Sequence, residues 1–426
     1  MPSRFGSTLS RLLPGAAFAR SVATLTLGTA LAQALSVAAM PLLTRLYTPA
    51  DFGFLAVFMA ISGVVATAVT LRYETAVLPA KTEQESATVV LLCLVFTVAS
   101  GALLISASMF LPASALHLLS ADDELATWLP AAVLTGACIA AMTTAQAWLN
   151  RHQKYRQMTG LRIAQSTVII GLGLIFGTVL RYQQGLILAQ VLACAVSAGI
   201  ALWFSRSAAK CWRRTEFKSV ARIHANAPKY LLPTALLDTI TIQLPVVLIA
   251  SWFGQEMAGQ FSMAWRVLML PMGLIGSAVG QVFLQRFAQL QEQPQTARHL
   301  LIKTWQTLFF LGLAPTVVII FFGEPLFQWA LGESWGDAGR IASIMAPMLL
   351  AMFISSPTSG TYVILGLQRY SLLFGVATFL YRISCLFLGH SIGEFLIALK
   401  IWVVIDIFVI VLYQKIALQK TNHNNQ

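Results

Sequence analysis

The chain has 426 residues, of which 57% are hydrophobic and 10% are charged, with a mean hydropathy of +0.74 and a formal net charge of +12. Soluble domains carry about 25% charged residues, so this composition excludes an ordinary water-soluble domain. The apolar residues come in blocks of roughly 20, the length that a helix needs to cross about 30 Å of hydrocarbon. The blocks lack the period-two alternation of transmembrane β-strands.

The blocks predict about twelve membrane-spanning helices. Their apolar cores are, in chain order, 21–43, 52–71, 87–111, 127–149, 161–180, 185–204, 229–253, 258–285, 301–322, 339–365, 370–388 and 392–414. The first block is too long for the apolar region of a signal peptide, so we expect it to be retained as a span. The predicted fold class is an all-α integral membrane protein with two six-helix lobes.

The longest predicted connection divides the spans six and six. It is the basic linker 205–228, which separates an N-terminal lobe, 1–204, from a C-terminal lobe, 229–414. The remaining segment, 415–426, is polar, and we expect it to be a cytoplasmic tail without fixed structure.

A short repeat relates the two halves. The stretch "TPADFGFLAVFMAI", from Thr48, and the stretch "GQEMAGQFSMAWRV", from Gly254, each follow the first span of their half. Both contain an acidic residue in a short turn and start the next helix at a glycine, Gly53 or Gly259. This pattern predicts two parallel repeats, an arrangement in which transporters often hold the substrate between the halves.

The basic residues are distributed unevenly between the two sides of the membrane. If the N-terminus and every second loop lie on one side, that side holds 22 of the 28 lysines and arginines. The opposite loops contain mainly acidic residues. The positive-inside rule then places both termini in the cytoplasm. The positive charge therefore indicates topology and contact with anionic lipids, and we expect no nucleic-acid partner.

Five ionisable residues lie more than five residues from either end of a predicted span. They are Asp238, Arg266, Arg382, Lys400 and Asp406. A charged side chain at the bilayer centre costs roughly 2.5–3.5 kcal/mol on insertion scales, so such residues need water, a partner or a substrate. Arg382 and Lys400 lie near the outer ends of their predicted spans, and we expect both to snorkel to the interface.

Small and polar residues share helix faces with several ions. The face of Arg266 also carries Gly259 and Gln281, Gln33 lies on a threonine-rich face of the first span, and Glu74 ends a Gly and Thr stripe. Such stripes indicate tight helix packing or a wet cavity. We favour the cavity, with Arg72 and Glu74 at its inner rim, over the simpler alternative that the helix has left the membrane there.

Helix breakers interrupt several predicted spans. Pro245 and Pro271 lie within spans, and "SSPTSGT" (355–361) places a polar, proline-containing stretch inside the tenth. These positions are hinges or static kinks. The five cysteines and six histidines show no metal-ligand spacing, so we expect no metal site, no cofactor and no enzymatic activity.

The residues "PLLTRLYTPADFGFLAVF" (41–58), followed by "LRYETAVLP" (71–79), closely resemble the N-terminal signature of Wzx-type bacterial polysaccharide flippases. These proteins belong to the multidrug/oligosaccharidyl-lipid/polysaccharide exporter (MOP) superfamily. The resemblance implies two six-helix lobes around a cavity. It also implies that the protein moves an undecaprenyl-diphosphate-linked oligosaccharide from the cytoplasmic to the periplasmic leaflet of the bacterial inner membrane by alternating access.

Seven residues form the site predicted from this resemblance together with the ion pattern. The predicted contacts to the diphosphate and sugars come from Arg266, Arg45, Arg72, Gln33 and Gln281. Cationic groups would offset the desolvation of the diphosphate. Asp238 and Glu74 are the predicted sites of coupling to a proton or sodium gradient.

The predicted partners are the lipid-linked oligosaccharide, membrane lipids, and a polysaccharide polymerase with its chain-length regulator. A cation-coupled multidrug exporter and a lipid II flippase of the same superfamily are the alternatives. An exporter of cationic drugs needs acidic and aromatic surfaces, whereas lipid II flippases typically have more spans. A polymerase or glycosyltransferase would carry a large soluble domain or a long outer loop, which this chain lacks.

Overall fold

The computed structural model describes residues 16–110, 124–180, 184–211, 217–290 and 293–423, and this part of the chain contains helices and no strand. We number the helices of thirteen or more residues. They are α1 Ala16–Leu46, α2 Pro49–Val69, α3 Glu83–Ser108, α4 Glu124–Arg151, α5 Tyr155–Thr178, α6 Gly185–Phe204, α7 Leu232–Phe253, α8 Gln255–Pro271, α9 Ser277–Gln289, α10 Pro294–Leu331, α11 Gly336–Ser355, α12 Gln368–Ile392 and α13 Phe395–His423.

Eleven helical segments of the described residues are long and apolar enough to cross a membrane. The protein is therefore a multi-pass membrane protein, as predicted. The remaining predicted span, 258–285, is divided between α8 and α9 by a π-helical segment, Met272–Gly276. Pro271 lacks the backbone N–H that would continue the α-helical hydrogen bonds, so the interruption begins at this residue.

The predicted break in the tenth span is confirmed. Helix α11 ends at Ser355 and is followed by a 3₁₀ turn, Ser356–Thr358. Neighbouring helices supply polar partners here: Trp305 Nε1 donates to Thr358 Oγ1 at 3.0 Å, and the amide of Gln414 contacts Ser355 Oγ. The same Gln414 amide lies 3.4 Å from the carbonyl oxygen of Ser355. Irregular backbone within a span is tolerated where other helices supply such partners.

The described residues form two compact units. The first comprises the chain up to Leu46 and from Phe58 to Gln243, and the second comprises Tyr47–Val57 and the chain from Leu244 onward. Among the described residues, the boundaries between units thus fall at the end of α1 and inside α2 and α7. The division at linker 205–228 stays a prediction.

The described part of the basic linker packs on the first unit. Ser207 accepts a hydrogen bond from Trp148 Nε1 at 3.1 Å, and the carbonyl of Ala221 accepts one from the hydroxyl of Tyr73 at 3.2 Å. His224 Nε2 lies 2.9 Å from Glu85 Oε1. These contacts hold the linker against α3, α4 and Tyr73.

Most of the segment that we expected to lack structure is helical. Helix α13 continues to His423, and Ala417 and Thr421 are buried. Leu418 packs against a cluster that includes Phe283 and Leu301. The expectation was wrong because it used polar composition alone, whereas one face of this last stretch is covered by protein. Residues 424–426 lie outside the described part.

The two glycines of the sequence repeat lie against each other in the second unit. A Cβ atom built on Gly53 would lie 1.8 Å from the carbonyl oxygen of Gln255, and one built on Gly259 would lie 1.8 Å from that of Pro49. Helices α2 and α8 therefore cross at backbone-to-backbone distance. The contact is reciprocal, since Pro49 and Gln255 also occupy equivalent positions in the repeat. This is the geometry expected where a two-fold axis relates two elements.

Candidate functional site

Arg266 is the predicted site residue on α8, in the second unit. It is eleven residues after the first residue of α8, or about 16 Å along the helix, which is near the middle of a 30 Å hydrocarbon layer. The residue is exposed. No described residue forms an ion pair or hydrogen bond with its guanidinium group. Gln281, on α9, is exposed as well.

Asp238, in the first unit, is also an exposed ionisable residue far from the ends of its helix. It lies eleven residues into the candidate span Ala227–Phe253, again about 16 Å from one end. Its side chain is exposed and forms no ion pair with the residues that the structure describes. An ion at this depth without a protein partner must be solvated by water, a ligand or a bound ion.

Part of the polar stripe on α2 serves helix packing rather than an open surface. Thr67 Oγ1 lies 3.2 Å from Thr239 Oγ1 of α7. A Cβ atom built on Gly63 would lie 2.9 Å from the side-chain amide nitrogen of Gln243. Small and polar residues here allow the two helices to approach closely.

The stretch from Leu71 to Ala76 forms a strained turn. Helix α2 ends at Val69, Leu71 and Arg72 adopt left-handed φ angles of 51° and 61°, and a 3₁₀ turn spans Tyr73–Ala76. For residues other than glycine this conformation costs of order 1–3 kcal/mol each and occurs preferentially at functional sites. The strained geometry brings the side chains of Arg72 and Glu74 together.

The two predicted site residues of this turn are bound to each other. Arg72 Nη1 lies 3.1 Å from Glu74 Oε1, with the Glu74 side chain buried and that of Arg72 one-third exposed. Glu74 Oε2 and Arg72 Nε are buried and have no hydrogen-bond partner among the described residues. Glu74 is therefore a buried carboxylate with a free acceptor atom.

Arg45 and Gln33 both lie on α1 in the first unit. Arg45 is exposed in the last turn of the helix, and it forms no ion pair with a described residue. Gln33 is half-buried, and its side-chain oxygen Oε1 is buried without a hydrogen-bond partner in the described chain. The amide of Gln33 thus has an acceptor available for a hydroxyl group.

A further arginine was not selected from the sequence. Arg162 lies seven residues after Tyr155, the first residue of α5, and its guanidinium donates a hydrogen bond to the hydroxyl of Thr29 on α1. Arg162 is one of the 22 basic residues assigned to the cytoplasmic side, although it lies inside the predicted span 161–180. The threonine-rich face of the first span, which was recognised, was the available signal.

The prediction that Arg382 snorkels to the interface was wrong. Helix α12 continues to Ile392, ten residues or about 15 Å beyond Arg382, so the guanidinium cannot reach the interface at that end. Arg382 Nη2 instead lies 2.8 Å from Oδ2 and 3.2 Å from Oδ1 of Asp406 on α13. Lys400, five residues into α13, is exposed, and snorkelling stays the prediction for it.

Asp406 is the centre of a buried polar network in the second unit. Its carboxylate also accepts a hydrogen bond from Trp402 Nε1 at 2.7 Å and one from the hydroxyl of Tyr381. The guanidinium carbon of Arg382 lies 5.2 Å from the centre of the Trp402 ring. With three donor residues on one carboxylate, the network holds α12 and α13 together, although Arg382 Nε is buried without a hydrogen-bond partner in the described chain.

Comparison with known proteins places these residues in a family. The family model described as polysaccharide biosynthesis protein matches residues 42–340. The chain belongs to this family. The match includes the "LRYETAVLP" turn, Asp238 and Arg266, and it confirms the predicted resemblance to polysaccharide flippases. A comparison with curated proteins finds no match.

Solved structures show that this member of the polysaccharide biosynthesis family has the MOP superfamily fold. A multidrug resistance MATE family transporter of that superfamily aligns with a TM-score of 0.69 and 15% identity over 94% of this chain and 96% of its own. The lipid II flippase MurJ aligns with a TM-score of 0.68 and 15% identity over 92% and 87%. The Vibrio cholerae MATE transporter VcmN gives 0.60 and 17% over 93% and 94%.

Proposed function

We propose that the protein translocates a polyprenyl-diphosphate-linked oligosaccharide across the bacterial inner membrane by alternating access. The family match to polysaccharide biosynthesis proteins and the fold shared with MOP transporters support this proposal. Both termini would lie in the cytoplasm, and the substrate would pass from the cytoplasmic to the periplasmic leaflet. A polymerase and a chain-length regulator would use the translocated repeat unit.

The observation that carries the proposal is the unpaired, exposed Arg266 at mid-membrane depth. A diphosphate must lose most of its hydration to cross a low-dielectric layer, and a charge-assisted hydrogen bond to arginine replaces part of it. Arg45 or Arg72 would supply a second cationic contact, depending on the side to which the site opens. Gln33 and Gln281 would contact sugar hydroxyls. An inside-negative potential favours outward movement of an anion by roughly 2.3 kcal/mol per charge per 100 mV.

We expect Arg266→Ala to lower translocation of lipid-linked oligosaccharide by roughly 10- to 150-fold. This range corresponds to the loss of one hydrogen bond to a charged group, about 1.5–3 kcal/mol. The measurement is the transfer of radiolabelled lipid-linked oligosaccharide from one leaflet to the other in the membrane of proteoliposomes. Lys400→Ala, which also removes an exposed cation from a span, is the matched control and should retain activity. Wild-type transfer by Arg266→Ala would exclude this role for the residue.

We propose that Asp238 and Glu74 couple transport to a proton or sodium gradient. Asp238 lacks a charged partner in the described chain, and Glu74 has a buried carboxylate oxygen without a hydrogen-bond partner. The Asp238 carboxylate and Glu74 Oε2 can each accept a proton or a cation. We expect Asp238→Asn and Glu74→Gln to transport at a rate that no longer responds to an imposed pH or sodium gradient. A gradient response equal to that of the wild type in both variants would contradict the coupling role.

Asp238 also favours the alternative of a cation-coupled multidrug exporter, because a carboxylate without a partner can bind a cationic drug. Resistance to cationic dyes on expression separates the two functions: the exporter requires it, and Asp238→Asn would abolish it. A flippase for lipid II, the second alternative, would restore growth to cells depleted of their own lipid II flippase. We expect neither phenotype.

A further inference from the structure

A cavity of about 650 Å³ lies in the second unit, at the end of the helices where α7 is followed by α8 and α12 by α13. Its lining combines aromatic and acidic residues and contains none of the seven predicted site residues. The lining residues used below are Trp252, Phe253, Asp337, His390, Glu394 and Phe395. All of them lie within about one turn of a helix end, which places the cavity at the membrane surface. In the proposed orientation this surface faces the periplasm.

Flat aromatic rings form one wall of the cavity. The ring of His390 stacks on that of Trp252 with centroids 5.2 Å apart and an interplanar angle of 20°. The ring of Phe253 meets His390 edge-on at 6.3 Å and lies 5.3 Å from Phe395. Because the rings pack against one another, this wall is ordered before a ligand binds.

The two carboxylates of the cavity differ in their surroundings. Asp337 Oδ1 lies 3.2 Å from Arg340 Nη1, and the same arginine forms two hydrogen bonds, of 2.8 and 2.9 Å, with Glu324. Glu394 is exposed and forms no ion pair with the residues that the structure describes. The cavity therefore has one carboxylate held in place by arginine and one free to accept hydrogen bonds.

Rigid backbone positions the free carboxylate. Helix α12 ends at Ile392, and the following Gly393 adopts a left-handed φ of 81° and donates to the carbonyl of His390 at 3.2 Å. The next residue, Glu394, donates its N–H to Gly389 at 2.9 Å, and its carbonyl accepts from Ala398 in the first turn of α13. Glu394 thus lies on a short turn fixed at both sides.

We propose that this cavity binds a sugar ring, and, given the proposed function, that the ring belongs to the head group of the translocated oligosaccharide on the periplasmic side. Carboxylates accept hydrogen bonds only, and sugar hydroxyls donate them. The aromatic wall fits the flat C–H face of a pyranose. A phosphate does not fit, because Arg340 is already bound to two carboxylates. A lipid chain does not fit a cavity with two carboxylates in its lining. The volume lies in the range of small-molecule sites.

Saturation-transfer NMR on the full chain in nanodiscs tests the site directly, with methyl glucoside, galactoside, mannoside and rhamnoside as probes. We expect magnetisation transfer from the protein to the ring C–H protons of at least one glycoside. Trp252→Leu should lower the affinity for that glycoside by about tenfold or more, as is typical of a buried aromatic contact. Glu394→Gln should lower it by less. Trp329→Leu is the matched control. Trp329 lies near the C-terminal end of α10, is 81% exposed and does not line the cavity.

Three results would overturn the proposal: no transfer to any of the four glycosides, equal affinity in Trp252→Leu and the wild type, or binding of tetramethylammonium in place of the glycosides. Glu394 is exposed, so Glu394→Gln remains informative if Trp252→Leu folds poorly. Oligosaccharide translocation measured in the same variants separates this proposal from the proposed function. Glycoside binding without any translocation by the wild type would contradict the proposed function but support the sugar site. Translocation without glycoside binding would contradict the sugar site but support the proposed function.

Discussion

Gly259→Ala is expected to prevent stable folding of the second unit, although it adds only one methyl group. That methyl carbon would lie 1.8 Å from the carbonyl oxygen of Pro49 and 3.0 Å from the backbone nitrogen of Gly53. Backbone atoms cannot move aside as a flexible side chain can, so α2 and α8 would have to separate along their crossing. Adding a methylene to a well-packed core typically costs 1–3 kcal/mol, and we expect this substitution to exceed that range.

The measurement is the thermal unfolding midpoint of the purified variant in detergent, together with its yield of monodisperse protein. Gly375→Ala is the control: Gly375 lies inside α12 of the same unit, and a Cβ atom there would meet no atom within 4 Å. Alanine in an open helix interior is neutral or stabilising by up to about 1 kcal/mol relative to glycine. Equal midpoints for Gly259→Ala and Gly375→Ala would contradict the proposed close crossing. Gly53→Ala should behave like Gly259→Ala, because the contact is reciprocal.

The sequence comparison placed Gly53 and Gly259 at equivalent positions, but it did not show that they touch. A repeat reveals which residues are equivalent, whereas contact depends on where the symmetry axis passes. Hydropathy likewise located the spans, because blocks of roughly 20 apolar residues have one stable arrangement in lipid. It placed helix ends less well. Arg162, at the start of the predicted span 161–180, was grouped with the basic residues of the cytoplasmic side, although α5 begins at Tyr155.

For the candidate site, the sequence identified ions that interrupt apolar runs but not the partners of those ions. Arg266 and Asp238 were recognised by their depth and by the small and polar residues on their helix faces, and the structure adds that they have no ion pair with a described residue. Arg382 shows the limit of this reasoning. Its predicted span ended at residue 388 because the following "GHSIGE" is polar, and its partner Asp406 lies 24 positions away on another helix. No periodicity within one helix reports such a pair.

Asp406→Ala should destabilise the second unit by about 3–5 kcal/mol, the usual cost of breaking a buried ion pair. The variant would leave the Arg382 guanidinium without its counter-ion near mid-membrane, and the Trp402 indole and Tyr381 hydroxyl without their acceptor. Arg382→Met should destabilise the unit by a similar amount, because it would leave the buried Asp406 carboxylate without its counter-ion. A free energy of unfolding of 5–15 kcal/mol is typical of folded proteins, so either change removes much of the stability. The thermal unfolding midpoint in detergent is the measurement.

The double variant Arg382→Met with Asp406→Leu decides what the network does. Replacing a buried pair with apolar residues of similar volume is often neutral or stabilising, so we expect the double variant to recover most of the midpoint lost in each single variant. Lys400→Met, which removes an exposed cation of α13, should leave the midpoint unchanged. A double variant as unstable as the single ones would contradict the ion-pair account. A double variant that folds and translocates substrate at a rate that still responds to an imposed pH or sodium gradient would show that the network stabilises the α12–α13 pair without taking part in coupling. Neither of its charges would then remain to bind a proton or a cation.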